Sequence, residues 1–205
     1  MRFVSSTLVV TAVCFACPSW TQGDALREPT VVHLGDSFVD AGLRQTLGPK
    51  FRAEHTRYIA LAKSGSYLGS WAGTAAVDEV RWKWRPSLVL VTLGASETRA
   101  PPASRAPLVR RLSAQLHGIP CVWLTVPLWK NEPTALNDMI AKEAAPCRVF
   151  DPSDIASRIP RQRDGVHPTV PGGAVWAEAF WTWLLKERDT SRGPWGLKDT
   201  TQGTR

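Results

Sequence analysis

The feature that most constrains this chain is a set of five short apolar runs: Thr30–Leu34, Arg57–Ala62, Ser87–Leu93, Cys121–Val126 and Arg148–Asp151. Each is almost continuous in Val, Leu, Ile and Phe, where a half-buried strand would alternate with polar residues. Continuous apolarity marks strands covered on both faces, as in a parallel sheet. Helix-like segments fall between the runs, at about 40–54, 75–84, 104–117 and 133–145, and a last one extends from Gly172 to Arg188. The alternation predicts an α/β protein, a three-layer, doubly wound α/β/α fold around a five-stranded parallel sheet. In the last segment Trp176, Ala179, Phe180, Trp183 and Leu184 repeat at i, i+3, i+4, i+7 and i+8, so that part of the chain's ten Trp is a core-facing stripe.

The 205 residues suffice for one domain with its own core. Residues 1–25 read as a secretory signal peptide: Arg2, then a mostly apolar stretch from Phe3 to Ala16, then small residues at Gly23 and Ala25. The apolar stretch is shorter than the ~20 residues of a spanning helix. Cys17 after Ala16 offers a second reading, a lipoprotein anchor. The domain is predicted over 26–188, and the polar, aperiodic stretch 189–205 is predicted to be a disordered tail. The net charge is +7, and Arg2 and Asp24 cancel, so the positive charge stays with the remainder of the chain.

Two cysteines follow the signal, Cys121 and Cys147, and each opens a β-like run. On parallel neighbouring strands their sulfurs would start side by side. Export favours a disulfide; two buried free thiols are the other reading.

Two short motifs carry chemistry. Ser37, in Gly35-Asp36-Ser37, falls at the C-terminal end of the first run, where α/β proteins place ligands. A serine hydroxyl is a nucleophile only beside a base. The second motif, Asp164-Gly165-Val166-His167, precedes the last helix. An Asp three residues before a His can accept from its Nδ1–H and leave Nε2 as a general base. Either motif alone is also an ordinary capping turn.

Taken together, in this order, they resemble the SGNH (GDSL-type) hydrolases over about Thr30 to Arg188. The resemblance implies a flavodoxin-like three-layer sheet and a serine esterase. Ser37 matches the nucleophile, His167 the base and Asp164 the acid that orients it. Gly65, after the second run, matches the glycine whose N–H serves the oxyanion hole together with that of Ser37. The third family block, Gly-x-Asn-Asp, is altered to Gly94-Ala95-Ser96-Glu97. Ser96 stands where the family's Asn donates to the oxyanion, and its hydroxyl is a shorter donor. Two readings follow, a slower or retuned esterase and a catalytically weak SGNH-fold module that binds cell-envelope polysaccharide. The α/β-hydrolase alternative needs Gly-x-Ser-x-Gly, and Val39 stands where its second glycine would.

Trp129, after the fourth run, and Arg163, beside Asp164, are candidate substrate contacts; Arg161 flanks the same loop. His33, His55 and His117 have no partners at metal-ligand spacing, so neither a metal site nor a cofactor is implied. Lys and Arg are scattered and not striped with aromatics, which disfavours nucleic acid. The expected partner is an ester of a small acyl group, such as an O-acetyl group on a glycan, met by a secreted or periplasmic monomer with no integral membrane span.

Overall fold

The computed structural model describes residues 27–199. Five parallel strands form one sheet: β1 (Thr30–Gly35), β2 (Arg57–Ala62), β3 (Leu88–Thr92), β4 (Cys121–Leu124) and β5 (Arg148–Phe150). Their order is β2-β1-β3-β4-β5. Each lies within or on one of the five apolar runs. Side chains of alternate strand residues pack into opposite layers. Val31, Leu88, Leu90, Val122 and Leu124 meet Leu47, Phe51, Trp176, Phe180 and Leu184 on one face. Val32, Leu34, Val89, Val91 and Trp123 meet Val77, Val109, Leu112, Leu136 and Ile140 on the other. Both faces are therefore dry, which is why the runs are continuously apolar.

The first layer is supplied by α1 (Arg44–Ala53) and α6 (Val170–Glu187), the second by α2 (Ala75–Glu79), α3 (Pro102–Gln115) and α4 (Ala135–Glu143). A short α5 (Ser153–Ala156) follows β5. The predicted helix at 75–84 is α2 continued by a wider π-type turn, Val80–Trp84, which ends with Arg85 in the left-handed region at φ 42°. The predicted helix at 40–54 is regular only from Arg44, because Ala41 and Gly42 depart from helical angles.

Cys121 opens β4 and Cys147 directly precedes β5; the register pairs Val122 with Arg148 and sets the two cysteines side by side. They form a disulfide, with Cα atoms 4.7 Å apart. Cross-linking positions 26 residues apart stabilises by roughly 3 kcal/mol in the chain-entropy model.

One expectation is overturned. The stretch from Asp189 is ordered as far as Asp199. Trp195 is fully buried there: its Nε1 donates to Thr56 Oγ1 at 2.9 Å, and its ring meets Phe51 edge-on at 4.9 Å. The Arg188 guanidinium lies over the same ring at 4.1 Å. A single aromatic anchor has no period, so hydrophobic periodicity does not reveal it. Residues 200–205, the signal stretch and Cys17 lie outside the described residues. No helix among the described residues is long and apolar enough to cross a membrane.

Candidate active site

In this strand order the chain leaves β1 towards β2 and leaves the neighbouring β3 towards β4, so the connections after these two adjacent strands run in opposite directions. Such a switch point opens a crevice at the C-terminal ends of the strands. Ser37 emerges from β1 there, beside the loop that carries Ser96 after β3. Asp36, fully buried, ties the two together. Its Oδ1 accepts the Phe38 N–H at 2.9 Å and its Oδ2 the Ala95 N–H at 3.3 Å. Burial pushes this carboxyl up to about 6, against the pull of the N–H donors.

Asp164 shapes the opposite wall. Its Oδ1 accepts the backbone N–H groups of Val166 at 2.9 Å and His167 at 3.0 Å, which curls the loop. Its Oδ2 accepts from His167 Nδ1 at 2.6 Å. The bond to His167, then the backbone N–H of Val166, holds this carboxyl below the usual carboxylate range. With Nδ1 committed to Asp164, Nε2 presents its lone pair, and it lies 2.9 Å from Ser37 Oγ. The three side chains form an unbroken hydrogen-bonded chain, carboxylate to imidazole to hydroxyl. The Phe38 ring packs beside the imidazole at 5.3 Å.

Ser37 and His167 lie 130 residues apart in sequence, and glycines let them meet. Gly42 has φ +98°, and a Cβ there would stand 2.6 Å from Val170 O and 2.8 Å from the Cα of Gly173. A Cβ on Gly173 would in turn overlap Ala41 O. The chain after Ser37 and the first turn of α6 thus pack backbone to backbone. Thr169, whose Oγ1 accepts the Gly172 N–H at 3.0 Å, caps that turn just after His167. Arg161 braces the same loop from the other side. Its Nη1 donates to Val166 O and its Nη2 to Pro127 O, each at 2.6 Å, joining the histidine loop to the loop after β4.

Gly65 sits after β2 at φ +71°, with nothing within 4 Å of the place a Cβ would take. Among the described residues, neither its N–H nor that of Ser37 has a protein acceptor. Ser96 lies in a single tight turn, Ala95–Glu97; it is exposed and makes no side-chain hydrogen bond among the described residues. The neighbouring Glu97 is buried: its Oε2 accepts the Leu68 N–H at 2.7 Å and its Oε1 pairs with Arg105 at 2.7 Å. Glu97 clasps the loops after β2 and β3. Sequence reasoning passed over it, although an acid directly after a predicted donor position is a visible signal.

Trp129 is half-buried, with its ring 6.4 Å from that of Phe38, so it borders the crevice. Its loop is fixed by Glu132, which accepts from Thr98 Oγ1 at 2.7 Å and Arg99 Nη2 at 2.7 Å. Arg163 is exposed and makes no hydrogen bond or ion pair among the described residues, so the structure brings it beside Asp164 by chain adjacency alone. Of the two arginines flanking this loop, Arg161 is the one that engages the site's framework. No group of three or more His, Cys, Asp or Glu among the described residues could hold a metal ion.

Comparison with protein-family models gives no match, and neither does comparison with curated proteins. Solved structures do match. The psychrotrophic esterase EstA from Pseudoalteromonas sp. superposes with a TM-score of 0.60 at 19% identity, over 77% of this chain and 97% of that one. A G-D-S-L family protein from Desulfitobacterium hafniense gives 0.57 at 14% identity, over 76% and 99%. A two-domain esterase active on acetylated mannans gives 0.54 at 14% identity, over 77% of this chain and 49% of that one. The chain shares the α/β fold of these structures and of a putative SGNH hydrolase from Slackia heliotrinireducens, which superposes with a TM-score of 0.59 at 15% identity, over 75% of this chain and 97% of that one.

Proposed function

We propose that this protein is an exported serine esterase in which Ser37 attacks a carboxylic ester. The observation that carries the reading is the continuous relay Asp164–His167–Ser37, with spacings of 2.6 and 2.9 Å. His167 Nε2 takes the Ser37 proton as Oγ bonds to the carbonyl carbon, then delivers it to the departing alcohol. Asp164 holds the imidazole in the needed tautomer and stabilises its charged form. The N–H groups of Ser37 and Gly65, with help from Ser96, receive the negative charge on the carbonyl oxygen. Water, deprotonated by His167, then releases the acid from the acyl-enzyme. No cofactor takes part.

The proposed substrate is a small acyl ester, an O-acetyl group on an acidic envelope glycan. The short connections between elements, with no long apolar lid segment in the sequence, suit a small acyl group, and the +7 charge suits a polyanion. The structural likeness to an esterase active on acetylated mannans agrees with this reading. Hydrolysis of p-nitrophenyl acetate and butyrate against longer chains, with covalent labelling of Ser37 by a phosphonate, tests it. Acetate preference with labelling lost in Ser37→Ala supports it; a wide preference for long chains rejects the glycan substrate. The exposed, unbonded Ser96 favours the second reading, a weak or inactive glycan-binding module. That reading prevails if wild type and Ser37→Ala hydrolyse short esters at one background rate.

A further inference from the structure

At the other end of the sheet, where the strands begin, the residues preceding β1, β3 and β4 (Pro29, Ser87 and Pro120) help line a cleft of about 930 Å³. A six-residue strand separates this end from Ser37, roughly 20 Å. The cleft is lined by Arg27, Arg81, Arg85 and Arg192, with Glu28 as its one carboxylate.

Two of these arginines are oriented by bonds to neutral carbonyls. Arg27 donates to Trp84 O at 3.0 Å, and Arg81 donates to Gln115 O at 3.0 Å and His117 O at 2.7 Å. Such bonds to neutral carbonyls orient a guanidinium and leave its charge in place. Arg85 makes no side-chain hydrogen bond among the described residues and is held in the left-handed region at φ 42°, which is uncommon for a bulky residue. Of the four, only Arg192 has a carboxylate partner among the described residues, Asp199. Like charges gathered in one cleft repel each other, and an anionic occupant removes that cost. The segment beside the cleft reads Arg81-Trp82-Lys83-Trp84-Arg85. Trp82 is 68% exposed, the most exposed large apolar side chain among the described residues. Trp84 next to it is covered by Arg57 at 5.2 Å and Lys83 at 5.3 Å.

We propose that this cleft binds a strand of acidic polysaccharide, with its carboxylate or phosphate groups on Arg27, Arg81 and Arg85 and one sugar ring stacked on Trp82. Guanidinium forks match the paired oxygens of such groups, and an exposed indole presents a flat apolar face to the C–H side of a pyranose. A concave, arginine-lined cleft, with the exposed Trp82 on the segment next to it and outside its lining, fits an extended chain. A lipid surface asks instead for a broad apolar face to insert. The inference concerns binding alone and stands whether or not Ser37 is catalytic.

The test is affinity electrophoresis of the full chain in gels containing polygalacturonate or neutral dextran, at roughly 0.15 M salt so that diffuse charge is screened. Wild type and Ser37→Ala bind polygalacturonate at least about tenfold more tightly than dextran. Arg85→Gln and Trp82→Ala each weaken that binding by about fivefold or more, with melting temperature and turnover of a small soluble ester unchanged. The proposal is overturned by equal retention on the two polymers or by retention that survives both substitutions. It is equally overturned by co-sedimentation with phosphatidylglycerol vesicles in the absence of polysaccharide binding.

Discussion

Two loops face each other across the crevice, and they are built to different standards. The loop holding His167 is fastened repeatedly: Asp164 through three bonds, Arg161 through three carbonyls, and Thr169 at the start of α6. The loop after β3 is anchored just as firmly at Asp36 and Glu97, yet the side chain it offers to the crevice, Ser96, is exposed and unbonded. On the proposed reading, the framework that would position an oxyanion donor is complete, while the side chain at the proposed donor position is a short hydroxyl. Proton transfer and charge stabilisation are separable jobs.

That contrast can be broken at its strong side. Ser37→Ala should lower kcat/KM for a short ester on the order of 10⁴-fold, leaving whatever the backbone donors contribute. Asp164→Asn should cost roughly 10³-fold, because the carboxamide can present an N–H to Nδ1 and place the wrong tautomer at Ser37. Burst kinetics with p-nitrophenyl acetate would read both losses. A loss under about tenfold in Asp164→Asn would mean that the curled backbone alone orients the imidazole.

The weak side can be sharpened. Ser96→Asn should raise kcat by roughly 10- to 100-fold with little change in KM, since a restored donor acts on the developing oxyanion and not on the bound ester. An unchanged kcat would place the donor elsewhere.

Two smaller effects probe the frame on which both loops stand. Gly173→Ala should destabilise the fold by about 2 kcal/mol and reduce activity, because the new Cβ meets the backbone of Ala41 and Gly42. Chemical denaturation and turnover read the two effects together. His33, fully buried in β1, bonds Tyr58 Oη at 2.7 Å and Thr92 Oγ1 at 2.8 Å, and burial lowers it to about 3. A group whose folded pKa is depressed takes up its proton in the unfolded chain first. His33 therefore withdraws stability as pH falls from about 6.5 towards 3, by about 2 kcal/mol at pH 5. Asp36, raised to about 6, acts in the opposite sense, and its contribution rises as pH falls from 6 towards 4. In His33→Gln the loss of stability between pH 7 and 5 should flatten, as followed by urea denaturation at each pH. An unchanged slope would remove His33 from this account.

Much of the architecture was legible because its causes are local. A strand covered on both faces must be apolar at every position, so five runs marked five strands. An amphipathic helix must repeat every three to four residues, so Trp176, Phe180 and Leu184 marked the core face of α6. Asp164 and His167 close their own hydrogen bonds within one turn, and four residues of sequence contain that geometry. Cys121 and Cys147 each stood at the start of a run, and the β4–β5 register turned that coincidence into a bond.

What the residue pattern left open depends on segments far apart in the chain. Nothing near Ser37 announces that a glycine pair, Gly42 and Gly173, sets its distance from His167. Nor could an exposed-looking tail reveal that Trp195 fills a pocket over Phe51 and Thr56, since one anchor residue leaves no repeat to read. Arg161 and Arg163 look alike in sequence, and only the positions of Pro127 O and Val166 O make one a brace and leave the other in solvent. The arginine-lined cleft has the same origin, because residues 27, 81, 85 and 192 converge only when the sheet orders its strand beginnings along one edge. Local periodicity encodes which segments form; the sheet's packing determines which distant side chains come to share a space.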